Sequence, residues 1–118
     1  HLRSGPARAT RGFGMRSVDR HTVPVCRFHH DDIERAGARG EAAWFAKWGM
    51  DPHALANALW NSSGDLSQMG LILVAHKQAA VRLLKKEAVI GVLMSHGQTR
   101  AEAEEQYEAE QQARRCER

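Results

Sequence analysis

Cys26, His29, His30 and Glu34 bring a thiolate, two imidazoles and a carboxylate together directly after the β-prone run Thr22-Val23-Pro24-Val25. These are metal ligands by type and by spacing. Cys26 and His29 form a C-x-x-H pair, which reads as half of a structural zinc site whose other two ligands come from another segment. His30 and Glu34 are one helical turn apart, so both project from one face and can share a single divalent ion. His1 adds a further imidazole at the first position of the sequence.

The elements that must position these groups follow from the pattern. Residues 1 to 20, with Gly5, Pro6, Gly12 and Gly14, read as a loop joining two short strands, and residues 21 to 25 as the second strand. A helix is expected from near Arg27 to about Ala36, where Gly37 and Gly40 stop it. Glu41 to Trp48 reads as a second short helix, ended by Gly49. Asp51-Pro52 then supplies an N-cap followed by proline at the first helical position, opening a third. Trp44, Phe45, Trp48, Leu55, Leu59 and Trp60 fall at helical spacing, which assigns them to a core rather than to a base-stacking platform.

Asn61 to Gly64 is a linker. Asp65 caps a longer helix reaching about Ser95, with Gly70 and Gly91 as places where it could kink, and His96-Gly97 closes it. Thr99 and Glu102 form a capping box for a last helix, mostly Glu, Gln, Ala and Arg with Tyr107 as its one large apolar group. That helix is expected to be exposed, frayed or docked on a partner. The expected class is α+β, mostly helical, with a functional domain over residues 1–60 and a helical extension of unassigned role over 61–118.

Bulk properties narrow the choice. The chain has 118 residues and a formal charge of +3, with a pI near 9.2. Arg3, Arg8, Arg11, Arg16 and Arg20 face Asp19 alone in the first 25 residues, a balance that suits a polyanion. Residues 99–118 carry more Glu than Arg, so a nucleic-acid footprint is expected in the first half. The longest apolar run, Gly70 to Ala75, is too short for a bilayer, and no membrane association is expected. The sequence opens without an initiator Met or a charged-then-apolar leader, which reads as a truncated or processed start. Two cysteines at opposite ends argue against a disulfide framework and for a reducing, cytoplasmic setting, with Cys116 a free thiol.

The stretch His1-Leu2-Arg3, then Asp19-Arg20-His21-Thr22-Val23-Pro24-Val25-Cys26-Arg27-Phe28-His29-His30, then Gly40-Glu41-Ala42-Ala43-Trp44-Phe45 and Gly49-Met50-Asp51-Pro52 resembles the HNH, or ββα-metal, nucleases in a bacterial and phage-associated branch. The resemblance covers about residues 1 to 60. It implies a short ββα-metal motif followed by several helices, and hydrolysis of DNA phosphodiester bonds. His1 would be the general base, His21 would stand at the position that orients it, and His30 would bind the catalytic ion. Cys26 and His29 would be the second half of a structural Zn²⁺ site, complete only if upstream ligands exist. Glu34 stands where relatives often carry His, a harder ligand that opens the choice to Mg²⁺, Mn²⁺ or Zn²⁺. Arg3, Arg8, Arg11, Arg16, Arg20 and Arg27 would hold phosphates. Two other readings stand beside this one. The first is a catalytically silent zinc-dependent module that binds nucleic acid or protein. The second is a protein whose C-terminal helices dominate as a self-association or partner domain.

Overall fold

The computed structural model describes residues 1–10, 12, 15–16 and 18–117. Five α-helices make up most of it: α1 (Pro6–Ala9), α2 (Arg27–Lys47), α3 (Pro52–Asn61), α4 (Leu66–Ser95) and α5 (Arg100–Cys116), with one 3₁₀ turn at Asp19–His21. Among the described residues there is no β-strand, so the expected α+β class, with its paired strands, gives way to an all-α protein.

The reason lies in where the backbone donors go. A strand ladder between the two extended segments would consume the amides of residues 1 to 4 and 21 to 25. One such bond forms, from Leu2 N–H to His21 C=O at 2.7 Å. The next two amides, of Arg3 and Ser4, donate instead to the carboxylate of Glu41 at 2.8–3.0 Å. Beyond them Pro6 opens α1, and on the other side Pro24 has no N–H to offer.

α2 follows the expected helix from Arg27 and breaks at Gly37 as expected; the difference is that Gly40 does not interrupt it and the second helical segment begins before Glu41. Gly37 alone leaves helical geometry, at φ 71° and ψ 175°, and the helix resumes at once and runs through Gly40 to Lys47. Asp51 caps α3 as its sequence implies, accepting from the His53 and Ala54 amides at 3.0 and 3.1 Å.

The chain divides into two compact units, His1–Ala80 and Val81–Arg118. In the first, Leu2, Ala7, Ile33, Phe45 and Ala56 form a buried cluster, with Val23, Trp44 and Met50 packed against it. α3 packs on the 3₁₀ turn. Leu55 and Leu59 are buried as expected, but Trp48 and Trp60 are 41% and 48% exposed, so the assignment of all these aromatics to the core does not hold. Trp48 is the C-cap of α2, one residue past its last helical position, Lys47. Trp60 follows Leu59, which takes the inward position, and lies on the wall of an apolar groove with Val23, Met69 and Leu73.

The second unit is a helical hairpin in which Ile90 and Ala103 are buried. Its turn is built by Gly97 at φ 94°, with Gly97 N–H donating to Met94 C=O and Gln98 N–H to Leu93 C=O. The Thr99–Glu102 capping box then starts α5. α4 continues through both Gly70 and Gly91, without the kink they could have introduced.

Candidate functional site

Glu41 organises the N-terminal segment. It is 1% exposed, and besides the two backbone donors it accepts from Ser4 Oγ and faces Arg3 Nε at 3.7 Å. Burying a carboxylate is costly unless donors satisfy it, and here fixed backbone N–H groups do so. The consequence is that His1-Leu2-Arg3-Ser4 is laid along α2. Arg3 completes the docking, with Nη1 3.2 Å from Glu34 Oε2 and Nη2 donating to the Ile33 carbonyl. The segment carrying His1 and the helix turn carrying Glu34 are therefore held together by a residue two positions from His1.

His1 Nε2 lies 3.0 Å from Asp19 Oδ1, a contact across the loop that the sequence pattern had not singled out. His21 stands in the 3₁₀ turn beyond Asp19. Its carbonyl accepts from Leu2, and its ring meets His53 edge-on at a centroid distance of 6.5 Å. His53 Nδ1 is buried without a hydrogen-bond partner among the described residues, and the Nε2 edge of the ring crowds the Gly5 backbone: a Cβ there would sit 2.8 Å from it.

At the start of α2, Cys26 Sγ and His29 Nδ1 are 3.3 Å apart. Two ligands at tetrahedral angles, with metal–sulfur about 2.3 Å and metal–nitrogen about 2.1 Å, stand about 3.6 Å apart, so a small opening of the pair would admit an ion. The His29 ring packs edge-on against both Trp44 and Trp48 at 5.6 and 5.7 Å. Trp44 is held in turn by its indole N–H, which donates to Asp32. His30 is more than half exposed, with Nδ1 3.4 Å from Asp31, and Glu34 is half exposed on the Arg3 guanidinium.

Metal donors thus stand in pairs. Among the described residues no three His, Cys, Asp or Glu side chains gather as an ion site. Cys26 with His29 fits two positions of a zinc sphere, and His30 with Glu34 has the spacing but not a third donor.

The arginines divide by role. Arg3 is committed to Glu34 and Glu41, and Arg27 is exposed but paired with Asp31 at 3.2 Å. Arg8, Arg16 and Arg20 are exposed. Arg11 lies outside the described residues. The residues missed by pattern alone are Glu41 and Asp19, whose partners lie 37 to 38 and 18 positions away. No helix among the described residues is long and apolar enough to cross a membrane. Comparison with family models, curated proteins and solved structures finds no match to this chain.

Proposed function

We propose that the first unit is a nuclease module that hydrolyses DNA phosphodiester bonds with HNH-type residues, His1 acting as general base. The observation that carries the reading is the docking of the His1–Ser4 segment onto α2, with Arg3 touching the Glu34 turn one helical turn after His30. The contact of His1 Nε2 with Asp19 favours the tautomer in which Nε2–H donates to the carboxylate. Nδ1 then carries the lone pair that takes a proton from water as its oxygen bonds to phosphorus and the bond to the 3′ oxygen breaks.

His30 and Glu34 are the residues that would hold a divalent ion, whose chemistry is to stabilise charge on the phosphorus centre and the departing oxygen. They do not complete its coordination by themselves, and Glu34 would have to leave Arg3 to take part. Cys26 and His29 would hold half of a structural Zn²⁺. The exposed Arg8, Arg16 and Arg20 suit phosphate contacts, and two free, exposed thiols suit a reducing, cytoplasmic setting.

The test is nicking of supercoiled plasmid in Mg²⁺, Mn²⁺ or Zn²⁺. His1→Ala and His30→Ala are expected to lower cleavage at least 100-fold while DNA affinity stays within a factor of a few. Asp19→Asn is expected to lower kcat with little change in KM, as loss of an orienting partner should. The pairing of donors without a third favours a second reading, a catalytically silent module that binds nucleic acid or protein. Wild-type protein that binds DNA but cuts in none of these metals would support that reading instead.

A further inference from the structure

The net charge of the last twenty residues argues against a polyanion there, but the fold sorts those charges by position. α4 and α5 enclose a cleft of about 820 Å³ at the open end of the hairpin. Arg82, Lys85 and Lys86 enter it from α4, and Arg114 and Arg115 from the last turn of α5. The acidic residues are largely drawn elsewhere. Glu102 serves the α5 cap, Glu87 and Glu104 both bind Arg100, and Glu110 accepts from Gln106. Among the described residues Glu108 is the one carboxylate on the wall, and it is held by Lys86 at 3.2 Å. Arg82, Lys85, Arg114 and Arg115 have no acidic partner among the described residues.

The α5 dipole favours cations at residues 114 and 115, but it gives no reason for three more on the facing helix. Lys86 is tied across the hairpin to Glu108 and lies over the Tyr107 ring, but Arg82, Lys85, Arg114 and Arg115 meet as like charges on a concave surface. These repel one another and add nothing to the hairpin's stability. We propose that this cleft is a second nucleic-acid contact, a cradle for the phosphate backbone. Guanidinium forks take phosphate oxygens bidentately, and Gln111 and Gln112 on the same wall supply neutral donors for phosphate or sugar. The cleft offers no element shaped to read bases, so its contribution is to affinity rather than to sequence choice.

The contact is independent of the chemistry on α2 and is measured without it. Binding of the full chain to a fluorescent 20-base oligo-dT and to a 20-base-pair duplex is followed by anisotropy in EDTA between about 50 and 300 mM NaCl. Each phosphate contact contributes about 0.9 to the log–log salt slope on duplex and about 0.7 on single strand. Arg114→Gln/Arg115→Gln, and separately Arg82→Gln/Lys85→Gln, are expected to reduce the slope by about 1.8 if duplex occupies the cleft or about 1.4 if single strand does. Arg114→Lys/Arg115→Lys retains it, and Glu108→Gln, which frees Lys86, tightens binding. All four positions in the neutralised pairs are exposed, and unchanged circular dichroism at 222 nm shows that the helices persist. A slope unmoved on both forms by either neutralised pair overturns the proposal, as does a poly-glutamate chain of matched charge binding as tightly as DNA.

Discussion

Glu41 in the first unit and Glu87, Glu104 and Glu108 in the hairpin are all helix carboxylates facing cations, yet they do different work. Glu41 is buried and takes two backbone amides, a hydroxyl and the edge of a guanidinium. The hairpin glutamates each meet one flexible cation at an exposed surface. A carboxylate satisfied by backbone donors fixes where a segment of chain lies, because those donors cannot move without unmaking the fold. An exposed pair sets the local sign of charge and little else. The first kind of contact positions a candidate catalytic segment, and the second leaves, among the described residues, cations without acidic partners on both walls of a cleft.

The sharpest way to break this contrast is to remove Glu41. Glu41→Ala leaves Arg3 and the Arg3 and Ser4 amides without their acceptor, and taking one partner from a buried ionic network costs about 3–5 kcal/mol. The urea midpoint should fall accordingly. Glu41→Gln should recover only part of the loss, because its NH₂ group would face donors where the carboxylate offered acceptors. A loss of unfolding free energy of less than about 0.5 kcal/mol would put Glu41 in the same class as the hairpin glutamates and remove the physical basis for docking His1 on α2.

That contact also separates what could be read in the sequence from what could not. Asp51 before Pro52, and Thr99 with Glu102, are legible because a cap is complete within a few residues, and both form as written. The closeness of Cys26 and His29, three residues apart, is legible for the same reason. The expected strand pairing fails because the Arg3 and Ser4 amides are claimed by Glu41, far along the chain, and nothing at position 41 distinguishes it locally from an ordinary residue near a helix start. His1 was legible as an imidazole of interest, but its partner Asp19 depends on how the loop closes. The hairpin cleft was hidden by averaging, since net charge over a segment says nothing about which face each charge takes.

A single kind of substitution, glycine to alanine, should give opposite signs in the two regions. Gly37 sits at φ 71° and ψ 175° with nothing within 4 Å of an added Cβ, so Gly37→Ala meets no steric obstacle and its cost is backbone strain alone, about 1–3 kcal/mol. Gly91 lies inside α4 with the same open space, and there Gly91→Ala should raise stability by about 0.5–1 kcal/mol through helix propensity. Thermal melts of both variants test this. Equal signs would mean that the kink in α2 is not built on the conformation only glycine adopts readily.

The smallest effect is expected at neighbouring positions of the hairpin turn. Thr99→Ala removes the acceptor for the Glu102 amide, while Glu102 keeps its bond to the Thr99 amide; loss of such a cap costs about 1 kcal/mol. Arg100→Ala, one residue on, removes two ion pairs and should leave the urea midpoint where it was, since both lie in solvent. The hydrogen bond to Glu87 first, and then the Glu87 and Glu104 charges, hold the Arg100 guanidinium above its ordinary range. A base raised in the folded state contributes fully below its unfolded value and loses that contribution only as pH climbs through the folded one. That window lies above the ordinary arginine range, so the difference between wild type and Arg100→Ala should be flat from pH 6 to 10. A pH-dependent gap inside that range would assign Arg100 a partner that titrates there, and the separation between fixed and exposed carboxylates would then need a third kind of contact.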